Sequence, residues 1–117
     1  MTISMLPVLF FRQANGDEPV KQWLRGLTDT QKKIIGRDIK TVQFGWPLGL
    51  PIVKKIGPDL WEVRSRVQGL QARVIFTFED DGIILLHAFI KKQQKIPLAD
   101  LRLAVMRLRL LKRGSYE

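Results

Sequence analysis

Apolar and polar positions alternate in three runs between Asp59 and Lys95, and the remainder of the chain arranges itself around them. The runs are Leu60–Val67, Ala72–Phe78 and Ile83–Ile90, and a period of two is the mark of strands with one covered face. Gln68-Gly69 and Asp80-Asp81-Gly82 separate them, and these residue types tolerate the positive φ of tight hairpin turns. The pattern predicts a three-stranded antiparallel meander. Trp61, Val63 and Val67 fall on one side of it, and Glu62, Arg64 and Arg66 on the other. Ala72, Val74, Phe76 and Phe78 share a face that Arg73 opposes. One surface of this meander is therefore apolar, and the other carries guanidinium groups.

Ahead of the meander, Ser4–Arg12 is apolar and stops before the turn signal Asn15-Gly16, which predicts a strand. Pro7 cannot donate to a ladder, so that strand belongs at an edge or starts after the proline. Asp17 is placed to cap a helix whose first turn holds Glu18 and Pro19, with Val20, Trp23, Leu24 and Leu27 as its apolar stripe. Thr28, with Gln31 three residues on, has the form of a capping box opening a second helix. Ile35, Ile39 and Val42 face inward there, while Lys32, Lys33, Arg37 and Lys40 lie outward. So short a link predicts an antiparallel helical hairpin. Gly45–Pro58 reads as an ordered loop tucked down by Trp46, Leu48 and Leu50. After the meander, Pro97 opens a last helix to about Lys112, with Leu101, Ala104, Val105, Leu108 and Leu111 as its stripe. Leu103, Met106 and Leu110 widen that stripe, Arg102, Arg109 and Arg113 take the remaining face, and residues from Gly114 on read as a frayed tail. Grouped helices and consecutive strands make the fold α+β.

Composition narrows the function. The 117 residues suit a single domain spanning 1–117. Cysteine is absent, which removes disulfides, thiolate metal sites and a cysteine nucleophile. Neither a membrane span nor a secretory signal is recognisable, so a cytoplasmic location is expected. The formal charge is +9, and Lys91 to Arg113 holds eight Lys or Arg against the single acid Asp100. Such an excess favours polyanion partners, nucleic acid first, although solubility alone accounts for much of it.

The chemistry available is cationic. One histidine and no cysteine leave carboxylates as the only metal ligands, and Glu79, Asp80 and Asp81 alternate around a hairpin tip rather than converging. No phosphate loop and no serine triad can be assembled. What remains is Arg64, Arg66 and Arg73 on one sheet face, Lys91, Lys92 and Lys95 where the last run ends, and Lys54 and Lys55 just ahead of the meander. Arginines bind a phosphodiester bidentately and stabilise charge on its non-bridging oxygens, and RNA brings its own 2′-hydroxyl nucleophile. His87 is the one side chain of a type that ordinarily exchanges protons near neutral pH, and proton transfer and a hydrogen-bonded core position are equally open to it.

The order Leu60-Trp61-Glu62-Val63-Arg64, then the run from Ala72 to Phe78, then Leu85-Leu86-His87-Ala88-Phe89 running into Lys91-Lys92 and Lys95, with Asn15 to Val20 near the start, resembles the HigB-like, phage-derived branch of the RelE/ParE toxin superfamily. The likeness extends from about Leu9 to Arg113. It implies a RelE-like α+β fold, with an N-terminal strand and helical hairpin, an antiparallel three-stranded meander and a C-terminal helix. It also implies a toxin of a type II toxin–antitoxin system, a ribosome-dependent, metal-independent endoribonuclease that cuts mRNA and needs no cofactor. Arg64, Arg73, His87 and Lys95 become the catalytic candidates, and Lys54, Lys55, Arg66, Lys91 and Lys92 the RNA-binding ones. Expected partners are mRNA and the ribosome with its 16S rRNA, and a cognate helix-turn-helix antitoxin through which alone the protein reaches operator DNA. Two alternatives remain: a ParE-like gyrase inhibitor, and a non-catalytic RNA- or protein-binding module. The chain departs from the family at Gln93 and Ile96, where threonines are common. Ile96 cannot cap the last helix, a loss of about 1 kcal/mol. Glu62 stands where some relatives carry a cation, and it is open to a general-base role or to orienting Arg64; the only tyrosine, Tyr116, lies in the tail and supplies no tyrosine base.

Overall fold

A computed structural model of the protein describes residues 6–92 and 95–114. The start of the first apolar run (Ser4 and Met5), Gln93 and most of the tail with Tyr116 lie outside these described residues. The elements are β1 (Val8–Phe10), α1 (Pro19–Arg25), α2 (Asp29–Gly45), β2 (Val53–Gly57), β3 (Leu60–Val67), β4 (Leu70–Glu79), β5 (Gly82–Lys91) and α3 (Leu98–Arg113). The architecture is α+β, a five-stranded mixed sheet in the order β1-β5-β4-β3-β2 with three helices.

The meander is present as β3–β4–β5, but the sheet exceeds it on both sides. β1 pairs in parallel with β5, Leu9 opposite Ile84. On the far side β2 pairs antiparallel with β3, Val53 opposite Val63 and Lys54 opposite Glu62. The expectation of a loop over Gly45–Pro58 is thus corrected. Gly45 ends α2, and Val53–Gly57 is an edge strand. Its prolines lie before or after the paired residues, and a register shift between Lys55 and Gly57 hides the alternation from a sequence reading. Trp46 does hold the connection down, edge-on to Trp61 and Phe76 at 5.1 and 5.3 Å. Leu50 does not; it is 64% exposed.

Each face of the sheet has its own core. Val53, Val63, Val67, Val74, Phe76 and Leu85 pack with Val20 of α1 and Ile35, Ile39 and Val42 of α2. On the other face Leu60, Ile75, Ile84, Leu86 and Phe89 meet Ala104 and Leu108 of α3. The helical hairpin is looser than the short link implies, since α1 docks on β5 and β1 whereas α2 docks on β3. The capping box of α2 forms in full, Thr28 Oγ1 accepting from the Gln31 amide at 3.2 Å and Gln31 Oε1 from the Thr28 amide at 3.0 Å. Asp17 is not the cap of α1. Its amide donates to Asn15 Oδ1 in an Asx turn, and Glu18 precedes Pro19 without a side-chain cap. α3 likewise starts without one, but its cap position is Pro97 and not Ile96, which lies one residue earlier, so the missing threonine is not what leaves it uncapped.

One irregularity decides what the sheet presents. Ile75 pairs with His87 but Phe76 with Leu85, so Leu86 is an extra residue in β5. After this bulge the alternation is inverted. Without it His87, Phe89 and Lys91 would share the face of Ile83 and Leu85; with it they join Arg73 on the α3 side.

Candidate functional site

Register and alternation place the polar side chains of that face in successive cross-strand rows. One row runs Lys54, Glu62, Ile75, His87 across β2 to β5. Next come Arg64, Arg73 and Phe89, and then Arg66, Gln71 and Lys91. Neighbouring strands are about 4.8 Å apart and rows about 7 Å, so charges in adjacent positions feel one another strongly.

Arg64 and Arg73 are therefore directly opposed, an arrangement that like charges ordinarily disfavour. Glu62 offsets the repulsion. Its carboxylate is 1% exposed and lies 3.6 Å from Arg73 Nε and 4.0 Å from Arg64 Nε. The two arginines are not equivalent. Arg73 is buried, its Nη1 donating to the Ala72 carbonyl at 3.0 Å and its Nη2 to Gln71 Oε1 at 2.7 Å. Burial lowers its pKa from the ordinary value, with Glu62 raising it and Arg64 lowering it, but a guanidinium starts so high that the charge is kept. The Arg64 side chain is 33% exposed and makes only the long contact to Glu62 among the described residues. Among the described residues Glu62 Oε2 and Arg73 Nε have no hydrogen-bond partner.

Lys91 completes the cluster. Burial lowers its pKa from the ordinary 10.5 and Arg73 adds to that, while Glu62 pulls it back and Arg64 and Lys54 lower it further. Four cations thus share one carboxylate. Beside them opens a cleft of about 350 Å³ lined by Pro51, Ile52, Arg64, Ser65, Arg66, Gln71 and Arg73. A concave wall with surplus positive charge and spare donors is fitted to an anion carrying several acceptor oxygens.

The other candidates go elsewhere. Lys55 lies on the opposite face, its Nζ 5.6 Å from the Trp61 ring centroid, because it is one residue out of phase with Lys54. Arg66, Lys92 and Lys95 are exposed, and among the described residues no hydrogen bond or ion pair fixes them. His87 is tied into α3. Its Nε2 is 2.6 Å from Asp100 Oδ1, and its Nδ1 is 3.2 Å from Arg107 Nη1, which also donates to the Leu86 carbonyl at 2.9 Å. An arginine only donates, so Nδ1 is the acceptor and Nε2–H donates to the carboxylate. Both ring nitrogens are occupied, and Phe89 stacks on the ring at 5.6 Å. This histidine staples the bulge to the helix.

Sequence reading missed Arg107 and gave Asp100 no role. A signal existed for Arg107, which falls between Ala104 and Leu108 on the buried stripe of α3 and is 7% exposed. A charge at a core position announces a polar partner across the interface. Gln71 was also overlooked, and only the register shows it beside Arg73.

A family model described as phage derived protein Gp49-like (DUF891) matches residues 22–109, about three quarters of the chain, including every residue of the three rows. No curated protein matches the sequence. The chain belongs to the Gp49-like phage-derived family.

Proposed function

We propose that this Gp49-like protein is the toxin of a type II toxin–antitoxin system and a metal-independent endoribonuclease of the HigB and RelE type, acting on mRNA in the translating ribosome. The observation that supports this most is the shared neighbourhood of Arg64, Arg73, Lys54 and Lys91 around the single carboxylate of Glu62. Arg64, one-third exposed at the cleft, holds the scissile phosphodiester, and Arg73 buried behind it adds positive charge that stabilises the charge growing on the non-bridging oxygens. The ribose 2′-hydroxyl gives up its proton to water and attacks phosphorus in line, the bond to the 5′-oxygen breaks, and a 2′,3′-cyclic phosphate and, once the leaving oxygen is protonated, a 5′-hydroxyl result. Lys91, whose ammonium gives up its proton more readily than a free lysine, is better placed than His87 to protonate the leaving 5′-oxygen. Exposed Lys92 and Lys95 extend the basic surface toward ribosomal RNA. A helix-turn-helix antitoxin neutralises the protein in the cytoplasm and supplies the contact to operator DNA.

Brief induction of the protein alone, followed by mapping of transcript 5′ ends, tests this reading. Growth arrest with new 5′ ends inside translated frames is expected, and both should be lost in Arg64→Gln. An SOS response with intact transcripts would replace the nuclease with a gyrase inhibitor. Salt-sensitive RNA binding without cleavage on ribosomes would leave a binding module.

A further inference from the structure

The cleft continues from the Arg64–Arg73 pair into the third row, and its lining includes Arg66 and Gln71 together with Pro51 and Ile52, the carbonyl of the latter accepting from the Arg64 amide at 2.8 Å. The orientation of the Gln71 amide is dictated by its neighbour. Arg73 Nη2 lies 2.7 Å from Gln71 Oε1, and a guanidinium has no acceptor to offer. The carbonyl oxygen must therefore face Arg73, and the amide nitrogen with both its protons is turned the other way. Arg66, exposed and without a partner among the described residues, also only donates. Pro51 and Ile52 supply an apolar wall. The third row lies about 7 Å from the Arg64–Arg73 pair, close to the distance from a phosphate to a base of the same nucleotide.

We infer that Gln71 and Arg66 form a nucleobase subsite that selects a base with an acceptor edge, guanine over adenine. Guanine offers O6 and N7, both acceptors, to two donors; adenine sets its N6 amino group against them and leaves a donor facing a donor. The inference rests on RNA as the ligand of the adjoining site, but not on cleavage.

The test is fluorescence anisotropy with fully 2′-O-methylated, end-labelled hexanucleotides of pyrimidines carrying one central guanine or one central adenine. Methylation blocks the 2′-hydroxyl, so binding is read without chemistry. Wild type should bind the guanine oligonucleotide roughly tenfold more tightly. Gln71→Leu should bring the two within about twofold. Gln71→Glu keeps an acceptor for Arg73 but replaces the donor edge, and should reverse the order so that adenine is preferred; a purely structural role for Gln71 does not produce a reversal. Arg64→Gln should weaken both oligonucleotides alike. Equal binding of the two by wild type, or an unchanged preference in Gln71→Glu, overturns the subsite. Discrimination in binding without any cleavage on ribosomes would sustain the subsite and remove only the nuclease.

Discussion

Around Glu62, four cations from four strands surround one buried carboxylate beside an open cleft; around His87, at the other end of the same row, both ring nitrogens are paired, one with a carboxylate and one with an arginine, beneath α3. The residue types are nearly the same. The difference is coverage. α3 packs over β5 and closes its cluster, so Arg107 Nη1 and Asp100 Oδ1 are engaged within the protein, although Arg107 Nε, like Arg73 Nε, finds no hydrogen-bond partner among the described residues. At the Glu62 end the neighbouring Arg64 stays one-third exposed and lines an open cleft. A buried arginine is thus no sign of function until its company is known: Arg73 borders an open cleft, while Arg107 is closed in between α3 and β5.

The contrast can be broken or sharpened by substitution. The largest effect is expected from Arg73→Ala, which leaves the buried Glu62 with the 4.0 Å contact to Arg64 as its one ion pair among the described residues. Loss of one partner from a buried pair costs about 3–5 kcal/mol, so denaturant melts should show a marginally stable or unfolded protein. A variant as stable as wild type would mean that the open cluster is not held from within. Arg64→Gln should act oppositely. With the side chain one-third exposed, the change in stability should stay within about 1 kcal/mol, while ribosome-dependent cleavage should fall on the order of 10²–10³-fold.

In the closed cluster Arg107→Met removes the donor to the Leu86 carbonyl and to His87, and should cost about 1–3 kcal/mol in urea unfolding with cleavage per folded molecule nearly unchanged. His87→Asn, if it abolished cleavage without loss of stability, would return this ring to the reaction. The smallest effect concerns Lys91. Its folded pKa lies below the unfolded 10.5, so above the folded value the unfolded chain holds the extra proton and stability rises with pH across that window. Wild type should gain on Lys91→Met in urea midpoints as the pH rises from neutrality toward 10.5, and RNA affinity should fall over the same rise as the ammonium loses its charge.

The course of the meander, its two turns and the capping box of α2 depend on residues close in the chain, and they were legible for that reason. Gln68-Gly69 and Asp80-Asp81 do adopt positive φ, and Trp61, Val63 and Val67 do share a buried face. The opposition of Arg64 and Arg73 also followed, because alternation and a two-residue turn set the pairing between β3 and β4. Beyond that point local rules ran out. β2 was hidden because its partner supplies the ladder and its own residues include a lysine pair and a glycine. His87 could not be judged, since what occupies its nitrogens comes from Asp100 and Arg107, thirteen and twenty residues away.

By itself the sequence determined an α+β chain with a basic sheet face and an arginine pair at its centre, since hydrophobic period and turn chemistry act between near neighbours. Tertiary structure alone decided which cations stay open. The extra residue at Leu86 turned Lys91 toward Arg73 and His87 toward α3, and that bulge is held by an arginine on a distant helix, a contact no local pattern encodes.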